Sequence, residues 1–113
     1  MSYKLMKDED IETKDFGPIK VKEYLNDISF ENFSFAQVEI IGEQKFGRDP
    51  ISDQIYYVLK GSGKFFIEDD IIEVSAGDAV LIHKNTKYKD AGNMTLLSFS
   101  SPRFDRNKRI REE

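Results

Sequence analysis

The chain of 113 residues contains no cysteine. Disulfides and thiolate metal sites are thereby excluded, and the expectation is a reducing compartment or indifference to redox state. It has one histidine, His83, and a lone imidazole with scattered carboxylates makes at best a weak metal site. No stretch approaches the roughly 18 apolar residues of a membrane span, and the N-terminal MSYKLMKDEDIETKD lacks the apolar core of a signal peptide, so no membrane partner and a cytoplasmic location are expected. An excess of basic charge is also missing. The net charge of −4 argues against an all-over nucleic-acid surface, though not against a local basic patch. There is no low-complexity stretch or Pro/Gly/Ser-rich linker, so the chain reads as one domain.

What is present is strand chemistry. Residues 54–78, QIYYVLKGSGKFFIEDDIIEVSAGD, hold two β-branched and aromatic runs joined by Gly61-Ser62-Gly63, then Glu68-Asp69-Asp70 as a second turn, and end at Ala76-Gly77-Asp78. That pattern predicts an antiparallel meander that supplies most of the core. Before it, residues 1–14 are polar and acidic, a frayed arm or a short helix, and Gly17-Pro18 precedes IKVKEYL, which alternates as an edge strand. FSFAQVEII is strand-like and ends at Gly42; residues 43–53 read as a loop or irregular crossing. After the meander come DAVLI, a turn HKNT in which Asn85 suits the left-handed conformation, a turn at Gly92-Asn93, and a final strand MTLLSFS with Leu97 and Phe99 on one face. Seven or eight short strands and almost no helix give an all-β sandwich or barrel.

The glycine spacing resembles that of the cupin family, small double-stranded β-helix barrels of the jelly-roll type. The family's first motif, G-x5-H-x-H-x3-E-x6-G, is met by Gly42-x5-Arg48-x-Pro50-x3-Gln54-x6-Gly61; the second, G-x5-P-x-G-x2-H-x3-N, by Gly77-x5-His83-x-Asn85-x2-Tyr88-x3-Gly92. The resemblance covers roughly residues 33–104. It implies an N-terminal arm and edge strand over 1–31, the barrel over 32–104 and a charged tail over 105–113, within one structural domain. It also implies a homodimer, to which strand positions such as Phe33 and Phe35 would contribute apolar surface.

In metal-dependent members, the first motif's two histidines and glutamate and the second motif's histidine hold a divalent ion. Here those four places carry Arg48, Pro50, Gln54 and Tyr88, and a guanidinium offers only donors and a fixed positive charge. The expectation is therefore a barrel without the usual metal or any other cofactor, which binds a polar or anionic small molecule, sugar-like or bearing carboxylate or phosphate. Arg48 would hold the anion, with Gln54, Tyr56, His83 and Tyr88 as further ligand-binding candidates. The plainer alternative has Arg48 in a loop facing solvent. Tyr56 shares strand parity with Gln54 and Val58, which points it inward, whereas Tyr57 and Leu59 point outward.

Three function classes compete. One is a binding or sensing module without turnover. Another is a metal-free enzyme similar to the sugar isomerases and epimerases of the cupin superfamily, with His83 and Tyr88, or Tyr56, as acid and base. The third is a metal-dependent isomerase or dioxygenase with a rearranged site. The basic cluster Arg103, Arg106, Lys108, Arg109 and Arg111 lacks the interleaved aromatics of a nucleic-acid motif and reads as a solvated tail, or as one that pairs with the acidic N-terminal segment of a neighbouring subunit.

Overall fold

A single 15-residue strand, β5 (Asp53–Ile67), and its antiparallel partner β8 (Tyr88–Ser101) run side by side from Asp53↔Ser101 to Ile67↔Tyr88 and form the spine of the molecule. The structure, a computed structural model, describes residues 2–112; Met1 and Glu113 lie outside the described residues. The other edge of β5 pairs in two stages, first with β7 (Ala79–Ile82) through Gln54–Tyr57 and then with β6 (Asp70–Ser75) through Ser62–Ile67. The other edge of β8 pairs with β3 (Ser34–Glu43). Beyond β3 lie β2 (Ile19–Leu25) and β1 (Thr13–Asp15). Two short strands, β4 (Gly47–Arg48) and β9 (Ile110–Arg111), pair with each other, and β4 also meets the start of β8.

Side-chain alternation divides the sheet into an inner and an outer face. Along β5 the inward set is Gln54, Tyr56 and Val58 at 4%, 8% and 0% exposure, and the outward set is Ile55, Tyr57 and Leu59 at 40%, 43% and 44%. One half of the inner face is filled by Val38, Ile40, Val58, Phe65, Met94 and Leu96. Each such side chain stabilises the fold by about 1.5–3 kcal/mol through its burial. In the other half, β3 offers Ser34 and Ala36, and β8 offers Ser98 and Ser100 opposite them. Small residues there leave the interior unfilled.

Several sequence expectations change. Gly61-Ser62-Gly63 is not a turn: β5 continues through it, bent at an irregularity between Val58 and Lys60. Gly92-Asn93 likewise lies within β8, and β3 runs one residue past Gly42. Glycine spacing signals both turns and close strand crossings, and here the second applies. A Cβ on Gly63 would lie 2.3 Å from the Ala91 carbonyl oxygen, and one on Gly92 would lie 2.6 Å from Gly63 Cα. Asn85 does adopt the left-handed conformation (φ 66°). Residues 8–10 form one 3-10 turn, and there are nine strands among the described residues.

The C-terminal segment is the largest correction. It is not a solvated tail: after a 3-10 turn at Arg106–Lys108, capped by the Asp105 side chain accepting from Asn107 N–H, it folds back as β9 against β4. Its last described residue finds partners in the barrel. Glu112 pairs with Arg48 and Lys87, and its N–H donates to the Phe46 carbonyl at 2.8 Å. Among the described residues, no helix is long and apolar enough to cross a membrane.

Candidate ligand-binding cavity

The unfilled half of the interior is a cavity of about 540 Å³, bounded by β2, β3, β5, β8 and residues 104–111. Small pockets for metabolites are of this size. Gln54 and Tyr56 enter it from β5, Tyr88 and Asp90 from β8, and Arg109 from the C-terminal segment. Two rings make one of its walls, Tyr56 and Tyr88, 6.0 Å apart centroid to centroid, and the core ring of Phe65 packs behind them, 5.6 Å from Tyr56.

The polar groups form a directed chain. Tyr88 donates its hydroxyl proton to Gln54 Oε1 at 2.8 Å. A phenol has one proton, so the hydrogen bond between the two tyrosine hydroxyls is donated by Tyr56. The Gln54 amide then donates to Ser100 Oγ at 3.4 Å. Burial pushes the Tyr56 hydroxyl well above the usual phenol range, reinforced by Tyr88; burial also raises Tyr88, opposed by the nearby Arg109 cation. Both tyrosines are therefore neutral hydrogen-bonding groups at physiological pH.

Asp90 and Arg109 carry the charge of the site. Asp90 is buried, its Oδ1 has no hydrogen-bond partner, and burial raises its carboxyl to about 6 against the counter-pull of Arg109. Its protonation is thus poised near neutrality. The partly buried Arg109 guanidinium stands over the Tyr88 ring, 5.0 Å from the centroid. Burial works against its charge, but a hydrogen bond to Tyr88 and the nearby Asp49 carboxylate favour it, and the guanidinium stays cationic. Neither residue is among the sequence candidates. Asp90 follows Tyr88 by two residues and so shares its face, a signal hidden by placing a turn at Gly92-Asn93. Arg109 sits in a run of like charges with no periodicity to set it apart.

Arg48 and His83 are elsewhere. The Arg48 side chain is 34% exposed and paired with Glu112, not with Asp49, Asp53 or the cavity. Asp49 instead accepts from the N–H groups of Ile51 and Ser52, each at 2.9 Å. His83 is largely exposed, with Nδ1 3.8 Å from Asp53 Oδ1. Of the five sequence candidates, the structure brings together Gln54, Tyr56 and Tyr88.

No protein-family model matches the sequence, and no curated protein matches it. Solved structures match its shape. A variant of Streptomyces Pac13 with uridine aligns at a TM-score of 0.89 and 18% identity over 100% of this chain and 93% of that one. Pac13, described as a unique nucleoside dehydratase, also aligns at 0.88 and 19% over 100% and 92%. An RmlC-like cupin from Shewanella frigidimarina aligns at 0.77 and 19% over 89% and 92%. The chain has the cupin fold. KdgF from Halomonas sp. shares it as well, at 0.81 and 19% over 92% and 97%.

In this chain, the four positions that the motif resemblance equates with metal ligands do not form a donor set. Arg48 is engaged by Glu112, Pro50 has no side-chain donor atom, and Gln54 and Tyr88 are hydrogen-bonded to each other. Among the described residues, no three His, Asp or Glu side chains come together as a metal-holding group. The residues present do not fit the divalent ion of the metal-dependent cupins.

Proposed function

We propose that this cupin binds a small polar molecule, sugar-like or nucleoside-like, in its barrel without a divalent metal. The observation that carries this is the chain from Tyr56 through Tyr88 and Gln54 to Ser100 along a cavity of about 540 Å³. Aromatic walls supply area for a ring, and hydroxyl and amide groups supply orientation. Arg48 and His83, which stand outside the cavity, are not ligand contacts on this account.

Titration calorimetry of chelator-treated protein against a panel of sugars, nucleosides and organic acids tests it. At least one ligand should bind, and Tyr88→Phe should weaken it by roughly tenfold, the worth of one buried hydrogen bond. Binding that appears only after adding a divalent metal would reject the account, as would a panel with no ligand at all.

A second function, metal-free acid–base catalysis, is favoured by one observation. Asp90 is a buried carboxyl with a free oxygen and a protonation poised near neutrality, as a general acid or base requires. Pac13, the neighbour of similar fold described as a nucleoside dehydratase, is seen with uridine in two Tyr→Phe variants. If this cupin catalyses, Asp90→Asn abolishes turnover of a bound panel member while its affinity stays within a few fold. Recovery of every bound ligand unchanged after prolonged incubation with wild-type protein leaves a binding module.

The partner of the outer face is a second copy of this chain. Ile55 is flanked by Leu81 on β7 and Phe99 on β8, and these with Tyr57 form an exposed, uncharged apolar patch across three adjacent strands. Sedimentation should show a dimer at micromolar concentration; a clean monomer discards it.

A further inference from the structure

The charge of the cavity opposes the charge of the chain. Overall the protein is at −4. Five cationic side chains line the cavity, Lys45, Lys89, Arg106, Arg109 and Arg111, against three carboxylates, Glu23, Glu43 and Asp90. Two of those carboxylates are already engaged, Glu23 by Lys14 and Asn26, and Glu43 by Lys89, a pair that removes one of the five cations as well. A concave site with an excess of one sign concentrates ligands of the other.

Arg109 is the group placed to use that field. Among the described residues, no carboxylate lies within ion-pair distance of its guanidinium, although Arg48, Lys22 and Arg103 all have such partners. Asp49 and Asp90 act on it only from a distance, so the partly buried guanidinium has its donor fork open to a contacting anion. Its planar donor fork, stacked on Tyr88, matches a carboxylate or phosphate edge.

The segment that delivers it is lightly attached. Two residues of β9 pair with β4, and Glu112 anchors the end through Arg48, Lys87 and the Phe46 carbonyl. Gly47 makes the approach possible, because a Cβ there would lie 2.9 Å from Arg109 Nη2 and 3.0 Å from the Ile110 carbonyl oxygen. Whatever binds the guanidinium therefore also holds residues 105–112 against the barrel.

Resting on the polar-ligand function proposed above, we infer that the cavity contains an anion subsite formed by Arg109, that the physiological ligand carries a carboxylate or phosphate, and that occupancy of this subsite and docking of residues 105–112 are coupled.

Inorganic phosphate is the probe. At constant ionic strength, phosphate should shift the Arg109 Nε–Hε NMR resonance saturably and slow amide hydrogen exchange across residues 105–112. Arg109→Gln should weaken phosphate binding by roughly tenfold or more, with partial recovery in Arg109→Lys, since charge is restored and the fork is not. Lys60→Gln, on an exposed stretch of β5, should change nothing. Slowing of amide exchange across residues 105–112 at the same phosphate concentrations in a folded Arg109→Gln variant as in wild type would overturn the subsite even if neutral ligands bind. Unchanged exchange in residues 105–112 at saturating phosphate would overturn the coupling. Phosphate held at Arg109 with no panel member bound would instead sink the polar-ligand account and leave the subsite standing.

Discussion

Gly61→Ala is expected to destabilise the protein by more than about 3 kcal/mol, and Gly77→Ala by only about 1 kcal/mol. Both glycines have positive φ, +84° and +99°, so both substitutions carry the strain of an L-residue in left-handed space. They differ in their surroundings. A Cβ on Gly61 would lie 2.2 Å from the Asn93 carbonyl oxygen and 2.8 Å from Met94 Cα, whereas one on Gly77 would meet nothing within 4 Å. The atoms in the way at Gly61 are backbone of β8, which is hydrogen-bonded to β3 on its other side. They cannot retreat without opening the spine of the barrel. Urea unfolding of the two variants measures the contrast, and equal costs would show that β5 and β8 do not cross as closely as described.

Asp90 makes the folded protein less stable as pH rises, opposite to most carboxylates. Its carboxyl titrates at about 6 in the folded state against an ordinary 3.8, because burial penalises the charge more than Arg109 stabilises it. Between those values the folded state binds more protons than the unfolded one, so this contribution to stability falls with rising pH. Below pH 3.8 it is absent; above pH 6 it is fully developed, at about 2–3 kcal/mol against folding. Hydrogen-bonded carboxylates run the other way. Asp8 is held below its usual range mainly by Lys22, and Asp27 mainly by the Ser29 N–H, so their contributions are lost as pH falls. Those terms are common to wild type and Asp90→Asn, so the difference between the two stability profiles isolates Asp90. The variant should gain on wild type by about 2 kcal/mol between pH 4.5 and 7.5, equivalent to roughly 5–10 °C in Tm. A flat difference profile would mean that Asp90 is solvated or paired.

Much of the barrel is legible without coordinates, because strand parity and backbone sterics act locally. Gln54, Tyr56 and Val58 alternate with Ile55, Tyr57 and Leu59, and a strand can only send the two sets to opposite faces. Glycine carries less information. Gly61, Gly63 and Gly92 suit a tight turn and a close strand crossing equally well, and the choice depends on which backbone lies opposite. The site divides in the same way. Tyr88 and Gln54 follow from motif spacing, while Asp90 needed the true start of β8, and Arg109 needed the path of a chain end.

The order of its apolar and polar residues alone determined that this chain forms an antiparallel all-β fold, sandwich or barrel, and which side chains of β5 face inward. Periodicity is a property of neighbouring residues, and no distant contact is needed to read it. Tertiary structure alone decided that Arg109 rather than Arg48 occupies the cavity. The two guanidiniums are chemically identical, and what separates them is the folding back of β9 onto β4, where Glu112 captures Arg48 and Gly47 leaves room for Arg109 against Tyr88. Those contacts join residues some 60 positions apart in the chain, so the charge at the heart of the site is placed by long-range packing.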